Sequence, residues 1–246
     1  MIMVAYLYDG TFEGLLTAIY KHYYQDKAKG IYPLDLYQVC LTVPYEIVKT
    51  DEEQADKVYQ AIQKKISYDD LSRIYYAYLS NDPEKEIKIL RYLELGFKTG
   101  PKISCLHGNP VVFDLQSIEK KVTHEVHRLK GLIRFSLLDQ DVLYAPITPD
   151  HDSVALLAAH FCDRFRHENF VIHDTRRKKA LLYNQGKSII APFEYDKLPS
   201  LAREEVLVRS QWRTYFETIA IKERTNKKCQ RNFMPVRYWE NLTEIF

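Results

Sequence analysis

The sequence predicts an α+β protein: a mostly helical N-terminal part, residues 1–130, then an antiparallel sheet with a helix on one face and a long C-terminal helix, residues 131–246. Three observations carry that expectation. Apolar residues recur at helical spacing through 51–97 and again through 112–131. After Gly131 the period changes, and short β-like runs alternate with turn residues. Helical spacing then returns over 201–224.

Taken in order, "MVAYLY" reads as a strand ended by Asp9-Gly10, and Thr11 is placed to cap a helix carrying Leu15, Leu16, Ile19 and Tyr20 on one face. Glu13 in its first turn suits the helix dipole. A short extended segment ends near "VPYEIVKT". Thr50 or Asp51 then opens a helix with Ala55, Val58, Tyr59 and Ile62 inward. "SYDDLSRIYYAYLS" and "PEKEIKILRYLELGF" predict two more helices, the second with proline in its first turn and Gly96 near its end. Another begins near 112 and ends at Gly131, with Arg128 and Lys130 in its last turn.

The runs "LIRFSLLD", "VLYAPITP", "FVIHDT", "KALLYN" and "SIIAPF" predict one antiparallel sheet over 131–196, with Asn184-Gln185-Gly186 as a turn. Between the second and third lies an amphipathic helix near 152–165, capped by Asp150 or Asp152, with Val154, Leu157, Ala158, Phe161 and Phe165 inward. The long helix near 202–224 is expected to pack back on one of these parts, and a basic loop and the aromatic "MPVRYWENL" follow it.

The 246 residues can bury a substantial core, as one large domain or two small ones. Tyrosine is abundant, at 19 residues, which suits half-wet surfaces. Net charge is only +2, but it is uneven: residues 1–100 hold 12 Lys+Arg against 15 Asp+Glu, and residues 101–246 hold 23 against 18. The second part is therefore the cationic one and the expected anion-facing one. Cys40, Cys105, Cys162 and Cys229 are scattered, which fits a reducing cytoplasm and neither a zinc ribbon nor an iron–sulfur cradle. No run of about 18 apolar residues is present, and "MIMVAYLYDG" turns acidic too soon for a signal peptide, so no membrane association is expected.

No Walker loop, G-x-G-x-x-G, G-x-S-x-G or H-E-x-x-H motif is present. His124 and His127 share a helix face but lack a placed third ligand, so neither a metal nor another cofactor is expected. What recurs is His and Arg beside apolar residues: His127-Arg128, Arg134, His160 with Arg164, His173-Asp174, Arg176-Arg177, Arg213, and Arg224 with Asn226, Lys227 and Lys228. Arginine forks suit phosphate, and nearby aromatic rings offer stacking faces. Apart from the two lysines, these residues are the candidate nucleic-acid contacts, with no catalytic residue assigned. The densest block, Arg176 to Lys179, is expected at a hairpin tip, where Asp174 answers Arg176 or Arg177. His173 to Arg177 is expected to share one concavity with His127-Arg128 and Arg164, with His173 gaining charge as pH falls towards 6.5. The competing expectation is that Glu125, Asp163 and Asp174 neutralise the arginines in structural ion pairs.

"YDGTFEGLLTAIY", "HRLKGLIRF", "TPDHDSVALLAAHFCDRF", "VIHDTRRKKALLYN" and "WRTYFETIAIKERTNKKCQRNFMPVRYWENLTE" resemble successive blocks of a bacterial family labelled "probable DNA metabolism protein". The resemblance spans Tyr6 to Glu244. The spelling departs at Leu132-Ile133 and at Gln211, positions that concern packing. Members of that family are typically encoded beside a radical-SAM protein of the spore-photoproduct-lyase type, and some are fused to a uracil-DNA-glycosylase-like domain. The resemblance implies DNA repair or modification in the company of such a partner, and it brings no assigned catalytic residues. Three functions stand as expectations: a DNA-associated accessory protein, an enzyme acting on nucleic acid through a His/Asp/Arg site, or a structural protein–protein interaction module.

Overall fold

The computed structural model describes residues 3–38, 42–195 and 199–244. The chain divides into two compact units, Met1–Val122 and Thr123–Phe246.

The first unit begins with β1 (Met3–Tyr8), α1 (Phe12–Tyr24), β2 (Lys27–Pro33) and β3 (Tyr45–Ile47). The three strands form a parallel sheet in the order β2-β1-β3. This corrects the expectation of a single starting strand. β2, "KAKGIYP", buries only Gly30 and Ile31, so it carries no alternating signature. Its pairing is imposed by α1, which returns the chain alongside β1 as parallel strands require. Thr11 caps α1 as expected, accepting from the Gly14 N–H, and Asp51 caps α2 (Glu52–Lys65) by accepting from Gln54. α3 (Tyr68–Tyr78) and α4 (Lys85–Thr99) follow, then a 3-10 segment and α5 (Pro110–Leu132), inside which the division between the units falls. Tyr6, Tyr8, Leu15, Ile19, Ile62, Ile74 and Leu93 fill the core of this unit.

The second unit contains β4 (Ser136–Leu138), β5 (Val142–Ile147), α6 (Val154–Arg164), β6 (Asn169–Asp174), β7 (Lys179–Asn184) and β8 (Lys187–Pro192). They form one five-stranded sheet in sequence order. Three pairs are antiparallel, but β5 and β6 run parallel, so the expected antiparallel sheet is mixed. The cause is α6, since a helix between two neighbouring strands makes a crossover and leaves them parallel. β4 is shorter than expected because α5 continues through Leu132. The β7–β8 turn has Gln185 and Gly186 both at positive φ, the geometry of a primed two-residue hairpin.

Neither Asp150 nor Asp152 caps α6. The capping position is Ser153, with no side-chain cap bond, while Asp150 meets Arg237 and Asp152 meets Lys179. Val154, Leu157 and Phe161 are buried beneath the helix, with Ala158 and Phe165 packed at the edge. Phe135 meets Phe161 and Phe170 edge-on at 5.5 and 5.7 Å. The last long helix, α7 (Arg203–Ile219), ends earlier than expected and packs on β4, where Glu205 accepts from the Leu137 N–H at 3.1 Å. The expected basic loop is instead a 3-10 turn, Lys222–Arg224, and a short helix, α8 (Lys227–Phe233), which forms because Asn226 caps it; a 3-10 segment, Val236–Asn241, follows.

Candidate functional site

In the second unit two loops meet at the carboxyl ends of the parallel pair β5 and β6. There the loop 148–153 leaves β5, and the hairpin turn 175–178 leaves β6. In open α/β sheets this end is where ligands gather. In this chain it is occupied by the protein's own charges.

Asp174, the last residue of β6, is fully buried. Its Oδ1 accepts from the N–H groups of Arg176 and Arg177, both at 3.1 Å, and its Oδ2 accepts from Arg177 Nη1 at 2.9 Å. Arg177 also donates to the carbonyls of Pro149 and Asp150, so the guanidinium ties the two loops together. The other three cations of the block are paired as well. Arg176 Nη1 stands 3.9 Å from Asp150, Lys178 lies 2.9 Å from Glu194, and Lys179 meets Asp152. The block is a hairpin tip, and each of its four cations faces a carboxylate.

A second buried carboxylate, Glu125 on α5, holds the loop 148–153 from its other side. It accepts from the N–H groups of Asp150 at 2.9 Å and His151 at 2.7 Å, and from the hydroxyl of Tyr238. Arg237 bridges Glu125 and Asp150. Burial, then the bond to Glu125, pushes the Tyr238 hydroxyl up from its ordinary value. His151 is buried beside this group, and burial holds its pKa below the usual histidine range.

His173 is buried, with Nδ1 2.7 Å from the Tyr144 hydroxyl and its ring edge-on to Phe193 at 4.9 Å. Burial lowers its pKa, against the pull of Asp174 and a hydrogen bond with the Phe193 backbone. The expected gain of charge near pH 6.5 is therefore displaced to lower pH, because the imidazole has lost the water that would stabilise its cation.

The remaining candidates fall into separate groups. Arg134 pairs with Glu244 at 2.6 Å, and Arg213 donates to the Thr243 carbonyl, so both hold the C-terminal segment. His160 lies edge-on to Phe161, and Arg164 lies over Phe165, both on α6. Asn226 caps α8 through the Cys229 N–H. His127 is exposed on α5, and Arg128 reaches the Asn232 carbonyl at 3.4 Å, which brings the end of α5 beside α8.

Of the three acids expected to neutralise arginines, Asp174 takes Arg177, while Glu125 takes Arg237 and Asp163 takes Arg166, both arginines outside the candidate set. Cys105, Cys162 and Cys229 are free thiols, and Cys40 lies outside the described residues. Among the described residues no three His, Cys, Asp or Glu side chains are grouped to hold a metal ion, and no helix is long and apolar enough to cross a membrane.

The cations without carboxylate partners lie elsewhere. From Arg224 to Trp239 the chain has no Asp or Glu, yet it carries Arg224, Lys227, Lys228, Arg231 and Arg237. Arg237 is committed to Glu125 and Asp150. The other four are exposed, with no ion pair among the described residues, and Phe233 at the end of α8 is 74% exposed beside them. The readable signal is the absence of acid over this stretch. Counting cations alone favours the denser block at 176–179.

The second unit is thus a mixed five-stranded sheet whose loops are clamped by two buried carboxylates, with an unneutralised basic helix near its C-terminal end. The family model of DUF4130, a domain of unknown function, matches residues 83–244, and the chain belongs to that family. No curated protein matches the sequence.

Proposed function

We propose that this protein is a DNA-associated factor of DNA repair or modification, that it serves as accessory to a radical-SAM or glycosylase-type partner, and that it meets the phosphate backbone through α8 and the end of α5. The family resemblance supplies the context of repair and the kind of partner. The contact surface rests on one observation: Arg224, Lys227, Lys228 and Arg231 have no carboxylate partner among the described residues, whereas each cation from Arg176 to Lys179 has one. An unneutralised cation gains most from a phosphate, since it has no intramolecular bond to give up.

An accessory role is preferred to a catalytic one because the two buried carboxylates of this site, Glu125 and Asp174, are committed to holding its loops. Each accepts from two backbone N–H groups and pairs with an arginine, so taking a substrate proton would loosen the loops it holds.

The test is fluorescence anisotropy of labelled single- and double-stranded oligonucleotides across a salt series, with co-purification of the radical-SAM or glycosylase-type neighbour. Affinity is expected to fall with salt by about 0.7–0.9 log units per phosphate contact for each log unit of salt. Salt-insensitive or absent binding would refute the DNA contact. Turnover of a damaged oligonucleotide by the isolated chain would refute the accessory role.

A further inference from the structure

In the first unit, the C-terminal half of α1 meets α2 and α4 around an open cleft of about 330 Å³. Tyr20, Tyr23, Tyr24 and Phe97 line it, with Lys57 and Lys65 at its side. Tyr20 and Tyr24 stack with ring centroids 4.4 Å apart, and Tyr23 stands edge-on to Phe97 at 5.6 Å. Tyr24 is 73% exposed, a large apolar area for a helix end to leave in water. Lys57 Nζ lies 5.9 Å from the centroid of the Tyr20 ring, and Lys27 stands over Tyr23 at 5.1 Å. No carboxylate lines the cleft, and among the described residues neither Lys57 nor Lys65 meets one. Glu94, the acid near Tyr23, lies 3.2 Å from His22 and does not line the cleft.

We propose that this cleft binds one nucleotide unit, its base stacked on the outer face of Tyr24, which Tyr20 backs, and its phosphate held by Lys57 and Lys65. Exposed ring faces call for a planar, apolar partner, and unpaired ammonium groups beside them call for an anion. A nucleoside phosphate joins both in one molecule, and the volume is near the lower end of small-molecule sites. The nucleotide is either free or part of a single strand. The site lies in a different unit from the α8 surface and does not depend on it.

Calorimetric titration of the whole chain tests the proposal, with thymidine and adenosine 5′-monophosphates, the two nucleosides, inorganic phosphate and a pentanucleotide as probes. A monophosphate should bind about tenfold more tightly than its nucleoside or phosphate alone. Tyr24→Ala should weaken nucleoside and nucleotide alike by about tenfold, and Lys57→Ala with Lys65→Ala should abolish the advantage of nucleotide over nucleoside. These side chains are exposed, so circular dichroism of the variants should match the parent. Tighter binding of the pentanucleotide, lost in the same variants, assigns the strand as the source, while equal binding assigns the free nucleotide. Replacing Lys227 and Lys228 should leave monophosphate binding unchanged, which separates this site from the DNA surface. Absence of monophosphate binding at millimolar concentration, or unchanged affinity in both cleft variants, overturns the proposal.

Discussion

Tyr238 donates its hydroxyl hydrogen to Oε1 of Glu125, a residue 113 positions earlier, and both groups are buried. The same carboxylate receives the N–H groups of Asp150 and His151, so one side chain fixes α5, the loop after β5 and the C-terminal segment. Removing it strands two backbone donors at once. Glu125→Ala is expected to destabilise the second unit by about 2–4 kcal/mol, and Tyr238→Phe by about 1 kcal/mol. Both tryptophans, Trp212 and Trp239, lie in this unit, so their fluorescence during urea unfolding reports it separately. Equal stability of Glu125→Ala and the parent would deny the clamp.

Arg176 and Arg177 are neighbours in sequence with opposite roles. The Arg177 side chain is 23% exposed against a fully buried Asp174, and the Arg176 side chain is 61% exposed with its nearest acid at 3.9 Å. Truncating Arg177 leaves a buried carboxylate without its cation, so Arg177→Ala should cost about 3 kcal/mol. Arg176→Ala should stay within about 0.5 kcal/mol of the parent. Similar losses for the two variants, followed by tryptophan fluorescence, would show that the inward arginine is not the one tying the loops.

The two basic segments make opposite predictions for DNA. Lys227→Ala with Lys228→Ala should weaken oligonucleotide binding and flatten the log-affinity against log-salt slope by about 0.9 per lost contact. Arg176→Ala with Lys178→Ala should change both less, because these cations already face Asp150 and Glu194. Anisotropy titrations at three salt concentrations compare them directly. The reverse ranking would return the contact to the hairpin tip.

Most of the helices were legible because they announce themselves locally, whereas α8 falls where a basic loop was expected. Thr11 and Asp51 cap where capping residues were read, and the buried stripe Ala55, Val58 and Ile62 follows the 3.6 period. β2 and the direction of β6 were not legible, since both depend on where a helix returns the chain rather than on the pattern of the strand itself. The site shows the same limit. Arg177 and Lys228 are alike as letters, and what separates them is a set of acids brought in by folding: Asp150, Asp152 and Glu194 from outside the basic block, beside Asp174 within it. The acid-free stretch from Arg224 to Trp239 was the part of that distinction readable in advance.

His22, His151 and His173 are all buried, and burial lowers the pKa of each by disfavouring the imidazolium. For a histidine with a depressed folded value, the unfolded chain binds the proton first as pH falls. Stability is therefore fully present above the unfolded value of about 6.5 and declines below it, by up to about 1.4 kcal/mol per pH unit for each such group until the folded value is reached. In the second unit His151 and His173 carry this dependence, and tryptophan fluorescence isolates it. His173→Asn keeps an acceptor for the Tyr144 hydroxyl but cannot titrate, so it should flatten the fall in stability between about pH 6.5 and 5 even where it costs stability at pH 7. An NMR titration placing His173 at or above 6.5, or an unaltered pH profile in His173→Asn, would show that burial of this ring is not what sets its charge.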